Sequence, residues 1–266
     1  MFGMGARGRH CMSGDVRIHY LDFNPAAPGT PLLLLPGITS PAATWAFVAR
    51  RLAAKRRVVV PDIRGRGLSE CRPGLGYGLD DYAGDAHAVI AAAGLGRPVV
   101  LGHSMGARIA AHLEAGQPGT CSRLILADPP LSGPGREPYP TPLQSYIGAR
   151  DAACRGATIE DFRKLTPGWS DEQIALRLQW LPTCAVEAIV ETHRNFHAED
   201  IFPSFARISC PTLLIHAARA RVVPAGEAAR IAALMPQGRA EAVDAGHMIP
   251  WENLDDFLQA IERFLD

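Results

Sequence analysis

The residues best suited to chemistry form a G-x-S-x-G run, Gly102-His103-Ser104-Met105-Gly106. A strand-like stretch, 98–101, precedes it and an Ala-rich helical stretch, 107–115, follows it. In that context the glycines permit a sharp strand-to-helix turn, which lifts the serine hydroxyl clear of a sheet edge. A serine hydroxyl becomes a nucleophile only when a neighbouring base takes its proton. The order in such an arrangement is Ser, acid, His, so the partners are sought downstream.

Of the nine histidines, His247 is the candidate base. It sits in Val243-Asp244-Ala245-Gly246-His247-Met248, a loop just after the last strand-like run. The others suit different roles. His103 lies inside the elbow with its ring turned away from substrate; His19 and His216 lie on strands, His87 and His112 on helices. His193 and His197 are close enough only for substrate contact, and His10 lies near the N-terminus. The acid is less direct. Its usual place, the loop after strand 212–216, reads His216-Ala217-Ala218-Arg219-Ala220-Arg221-Val222-Val223-Pro224, with no carboxylate. One strand earlier, Leu124-Ile125-Leu126-Ala127-Asp128 ends on a carboxylate at the edge where parallel sheets gather their ligands. Asp128 is therefore the expected acid, and Asp244, only three positions before His247, is read as a turn former.

Acyl transfer also needs donors for the developing oxyanion. The backbone N–H of Met105, directly after the serine, is one. The other is expected from Ile38 in the turn Leu35-Pro36-Gly37-Ile38-Thr39. The run Pro61-Asp62-Ile63-Arg64-Gly65-Arg66-Gly67-Leu68-Ser69 lacks phosphate-loop spacing and is read as a brace for the elbow.

Positioning these groups takes an α/β fold. Apolar runs at 32–35, 58–61, 99–101, 124–127, 212–216 and 240–243 alternate with helical patterns, the mark of a mostly parallel twisted sheet flanked by helices. Run 16–23 alternates more and is expected at an edge. Asp80 or Asp81 should cap a helix that Gly94 ends, and Pro224 should open a helix reaching Met235. Leu254, Phe257, Leu258, Ile261 and Leu265 form one stripe on a last helix. Between 133 and 205 the rhythm breaks into weaker helical patterns around 143–154, 159–165, 171–181 and 185–196. A structureless loop of that length does not suit a compact domain, so it is read as a helical lid. The core is then 14–132 with 206–266, and residues 1–13 are read as a flexible extension rather than a secretory leader.

Bulk properties narrow the partners. Apolar residues make up 47% of the 266-residue chain, charged residues 20%, and formal net charge is zero. No electrostatic footprint for nucleic acid or anionic membrane is present, and no apolar run of about 18 residues suggests a spanning helix. Six scattered cysteines without metal-ligand spacing read as reduced thiols of a cytoplasmic protein. The expected partner is a small molecule.

The elbow, the Asp62–Ser69 element and Gly246-His247-Met248 resemble the α/β-hydrolase superfamily from about residue 16 to 265. Further segments resemble the N-formylmaleamate deformylases of nicotinate degradation within it. These are Leu35-Pro36-Gly37-Ile38-Thr39-Ser40-Pro41-Ala42 with Thr44-Trp45, Asp128-Pro129-Pro130 with Ser132-Gly133-Pro134-Gly135-Arg136, Trp169-Ser170-Asp171-Glu172-Gln173, and His247-Met248-Ile249-Pro250-Trp251. That resemblance implies an acid after the sixth strand, hydrolysis of a carboxylated N-formyl amide, and no metal or organic cofactor. The substrate carboxylate implies a cationic partner; Arg108, one helical turn after Ser104, and Arg136 are the candidates. The same triad also serves ester, lactone and carbon–carbon bond hydrolysis, and a receptor that keeps only the fold is the alternative of another class.

Overall fold

Four-residue runs such as Leu32-Leu33-Leu34-Leu35 and Val58-Val59-Val60-Pro61 carry no polar side chain, so both faces of their strands must be covered. The computed structural model of the protein describes residues 5–266 and builds one sheet around those runs. Its strands are β1 (Ala6–Ser13), β2 (Val16–Phe23), β3 (Leu32–Leu35), β4 (Val58–Pro61), β5 (Val99–His103), β6 (Arg123–Ala127), β7 (Thr212–Ala217) and β8 (Gly238–Val243). The order across the sheet is β1-β2-β4-β3-β5-β6-β7-β8. The run from β4 to β8 is parallel, while β2 pairs antiparallel with both β1 and β4.

Helices cover both faces. The first part of the core supplies α1 (Ala46–Ala53), α2 (Leu79–Ala93) and α3 (Met105–Gly116). Between β6 and β7 the chain makes α4 (Leu143–Cys154), α5 (Ile159–Arg163), α6 (Asp171–Trp180), α7 (Val186–Ala198) and α8 (Phe202–Phe205). The core closes with α9 (Ala225–Leu234), α10 (Ile249–Glu252) and α11 (Leu254–Leu265). Asn253 caps α11 by accepting from Asp256 N–H, and Phe257, Leu258 and Ile261 turn its apolar stripe into the core. Among the described residues, no helix is long and apolar enough to cross a membrane.

Three expectations are corrected. Residues 6–13 are not a loose extension but strand β1, paired with β2 along its whole length. Gly14, at φ 58°, and Asp15 join them in a two-residue turn, the geometry that matches strand twist. This strand is mostly exposed, so pairing rather than burial holds it, and hydrophobic patterning does not reveal it. In consequence β2 is interior rather than an edge. Finally, α2 starts after Gly78; Asp81 acts from inside the first turn by accepting Gly78 N–H at 3.1 Å. Gly94 ends that helix in the left-handed conformation, as expected. The remainder of the presumed extension, residues 1–4, lies outside the described residues.

Candidate active site

Ser104 stands between the last residue of β5 and the first of α3, with φ 55° and ψ −120°. A side chain in that conformation is strained, and strain of this kind persists only where the surroundings fix it. Here Ser104 N–H donates to Ala127 O at 2.8 Å, tying the elbow to β6. The turn is also tight against the β3 loop. A Cβ on Gly106 would run into the Leu35 carbonyl, and one on Gly37 would sit 3.5 Å from Ser104 Cβ.

The three residues singled out by sequence converge. His247 Nε2 lies 3.0 Å from Ser104 Oγ, and His247 Nδ1 lies 2.6 Å from Asp128 Oδ2. Asp128 is fully buried and itself has positive φ, 47°, just past the end of β6. Its other oxygen accepts Ala217 N–H at 3.3 Å from β7. Two strand ends thus aim one carboxylate. Asp244 is engaged elsewhere: its side chain is 75% exposed and pairs with Arg219 at 2.5 Å. The loop after β7 therefore supplies an arginine that staples the His247 loop, through Asp244 and also Glu252 at 3.0 Å.

Met105 opens α3, so its N–H precedes the intrahelical pattern and has no helical acceptor. The loop after β3 is held by Arg66, whose Nε donates to Ile38 O at 3.0 Å. Arg66 is itself buried and bonded to Arg64 O, Tyr82 and Thr192. Asp62 secures the same region by accepting Ala42 N–H at 2.6 Å and Leu68 N–H at 3.0 Å. The Asp62–Ser69 element braces the β3 loop, more than the elbow proper. Such an arrangement can activate a hydroxyl, orient an imidazole and receive an oxyanion beside it.

His103 supports rather than reacts. Its Nε2–H donates to His247 O at 2.8 Å, and its ring packs on Trp45 and His247. Burial, aided by the neighbouring His247, pushes its pKa down to about 3 from the ordinary 6.5. The folded protein therefore refuses a proton that the unfolded chain accepts, so stability is full above pH 6.5 and falls as pH drops towards 3. The slope approaches about 1.4 kcal/mol per pH unit for one such group. Urea midpoints at pH 7 and pH 5 should separate more for the wild type than for His103→Gln; equal separations would exclude this source.

The inserted segment adds groups that sequence reasoning missed. Tyr139 brings its hydroxyl within 3.4 Å of His247 Nε2 and within 2.9 Å of the Tyr146 hydroxyl. Burial raises both phenols above their ordinary pKa, so they stay protonated. Trp169 stacks on Trp251, 5.3 Å between ring centres, and Trp251 meets Trp45 edge-on. From α6, Arg177 reaches the β3 loop, donating to Thr39 O and, at 2.7 Å, to Thr39 Oγ1. Trp169 and Trp251 fall in segments that carry the resemblance, while the only local signal at Tyr139 was the Pro138-Tyr139-Pro140 run, which fixes the backbone beside the site.

The two expected carboxylate-binding arginines are used otherwise. Arg108 is fully buried and donates to the carbonyls of Pro130, Ser132 and Glu199 at 3.0, 2.9 and 2.6 Å. Arg136 lies over the Phe202 ring at 3.4 Å and pairs with Asp200 at 3.2 Å. It borders an outer groove of about 610 Å³ that neither Ser104 nor His247 lines. Arg108 ties the insertion to the core and Arg136 is paired within the insertion, which removes the reason for assigning them to substrate.

Comparison with known proteins is consistent with this geometry. The model of the alpha/beta hydrolase fold family matches residues 30–254. The chain is 45% identical over 261 residues to N-formylmaleamate deformylase of Pseudomonas putida, covering 97% of this chain and 96% of that protein. It is 26% identical to 2-(acetamidomethylene)succinate hydrolase of Mesorhizobium japonicum, with 97% and 96% covered. Among solved structures, N-formylmaleamic acid deformylase from Pseudomonas putida S16 superposes with a TM-score of 0.91 at 44% identity, covering 96% of this chain and all of that one.

Proposed function

The chain belongs to the α/β-hydrolase family, and from that premise we propose that it hydrolyses N-formylmaleamate to maleamate and formate. The substrate follows from the likeness to the deformylase across nearly the whole chain. The observation that carries the chemistry is the line Ser104 Oγ, His247 and Asp128, with separations of 3.0 and 2.6 Å.

In this reading His247 Nε2 takes the Ser104 proton as Oγ bonds to the formyl carbon, and the carbonyl electrons move onto oxygen. The N–H groups of Ile38 and Met105 stabilise that oxyanion, each donor being worth about 10²–10³ in rate. The tetrahedral intermediate collapses, the C–N bond breaks, and His247 gives its proton to the departing maleamate nitrogen. That nitrogen is flanked by a second carbonyl, which spreads its electron pair and eases departure. Water, deprotonated by His247, then attacks the formyl ester and releases formate with Ser104 restored. Asp128 holds the imidazole in the productive tautomer and stabilises its cation.

Residues 133–205 serve as the lid over this centre in the same proposal. The support is that Tyr139 and Trp169 lie against His247 and Trp251, while Ser104 is only 3% exposed. The protein takes a small-molecule substrate rather than a nucleic acid or membrane surface. All six cysteines carry free thiols, which suits a reducing cytoplasm.

Formate release decides the substrate. Purified protein should release formate and maleamate in equal amounts from N-formylmaleamate, with kcat/KM at least tenfold above that for p-nitrophenyl acetate. Faster turnover of the ester, with no formate from the amide, would shift the reading to a small-substrate esterase.

A further inference from the structure

We propose that Arg177 is the residue that takes the free carboxylate of the substrate and thereby sets specificity; the inference rests on the reading of the substrate as a carboxylated N-formyl amide. Three observations carry it. First, the cation lacks a counter-ion: among the described residues no carboxylate lies within 4.0 Å of its guanidinium. Its guanidinium donates to neutral Thr39 twice, to the carbonyl and, at 2.7 Å, to the hydroxyl. By contrast Arg64, Arg57 and Arg219 each face one or more carboxylates, and Arg108 is engaged by three carbonyls.

Second, Arg177 closes a polar chain around the nucleophile. His247 meets Tyr139 at 3.4 Å, Tyr139 meets Tyr146 at 2.9 Å, and Tyr146 lies close enough to Arg177 for each to perturb the other's ionisation. Arg177 then bonds Thr39, the neighbour of Ile38, whose N–H is the second oxyanion donor of the proposed reaction. The guanidinium is thus tied to the Ile38–Thr39 loop and linked to His247 through two phenols. In this proposal a substrate with its formyl carbon at Ser104 directs the anionic group at its other end to that cation.

Third, the charge is kept in poor solvent. Burial pulls the Arg177 pKa below its ordinary value, opposed by Cys184 and Tyr146. A half-buried cation bonded only to neutral groups is incompletely compensated, and a carboxylate arriving with substrate supplies the missing counter-charge. The planar fork gives two parallel donors to one carboxylate, which a lysine cannot reproduce.

The test compares kcat/KM for N-formylmaleamate with that for its methyl ester, in the wild type, Arg177→Met and Arg177→Lys. The wild type should favour the acid, and Arg177→Met should lose about 10²–10³ against the acid, mostly in KM, as expected for a missing partner to a buried charge. Its loss against the ester should stay within tenfold, so the preference disappears; Arg177→Lys should fall between. A preference preserved in Arg177→Met would overturn the assignment. If Arg177→Met does not fold, inhibition of p-nitrophenyl acetate hydrolysis answers the same question in the wild type and Arg177→Lys. Maleamate should inhibit the wild type far better than its methyl ester, and the lysine variant should narrow that gap; an unchanged gap overturns the proposal. Failure of the substrate reading looks different, because the wild type would then release no formate while the inhibitor pair still reports on Arg177.

Discussion

Replacing Ser104 by alanine should lower kcat for N-formylmaleamate by about 10⁴–10⁶ while the protein remains folded. The size of the effect follows from the loss of the covalent route: without Oγ, water must attack the formyl carbon directly. The remaining donors and the bound geometry still leave a rate above the uncatalysed one. The fold should not suffer. The hydroxyl contributes one hydrogen bond, 3.0 Å from His247 Nε2, whereas Ser104 N–H to Ala127 O, which holds the elbow, is a backbone bond that alanine keeps. Formate release under single-turnover conditions, set beside thermal unfolding, separates the two. Activity within tenfold of the wild type in a pure, folded variant would show that the hydroxyl is not the nucleophile.

Asp128→Asn should cost about 10⁴ in kcat, and the surrounding hydrogen bonds explain the direction. Ala217 N–H points at Oδ1 from 3.3 Å, so an amide at this position keeps its oxygen there and turns its NH₂ towards His247. An NH₂ facing Nδ1 forces that nitrogen to act as the acceptor and puts the ring proton on Nε2. The imidazole then presents a proton to Ser104 instead of a lone pair. Asp244→Asn is the matched control: its carboxylate is exposed and paired with Arg219, so activity should change less than tenfold. A small effect at Asp128 together with a large one at Asp244 would reverse the assignment.

How much of this was legible depends on how far each signal travels along the chain. The runs at 32–35 and 58–61 are strands with the expected bounds, because four consecutive apolar residues have few other places to go. Ser104 was legible because strand, glycine turn and helix are contiguous in sequence. Asp128 required elimination, since the loop after β7 holds Arg219 instead of an acid; the structure shows that arginine paired with Asp244 and Glu252. Strand β1 escaped because its register with β2, and not its own burial, creates it. Only Gly14-Asp15 announced the turn.

The inserted segment was the hardest to read. Its helix α4 has no buried residue, and the apolar contrast along α6 is weak, so neither indicates which side faces Ser104. Arg108 and Arg136 were selected for proximity in sequence to the elbow and the insertion. Both turn out to be bonded to the protein itself, while Arg177, 73 positions beyond Ser104, reaches the oxyanion loop. Side-chain direction in a segment held by tertiary packing is not encoded locally.

The positive φ angles at Ser104 and Asp128 have an evolutionary consequence. Each backbone sits about 1–3 kcal/mol above a relaxed alternative, and the two are joined through Ala127, so the rest of the core must hold both in place. Selection for heat resistance alone would favour glycine at either position, and either change would remove a reactive group. Thermal tolerance in this lineage has to be gained elsewhere in the molecule, and these two residues mark where durability and turnover pull in opposite directions.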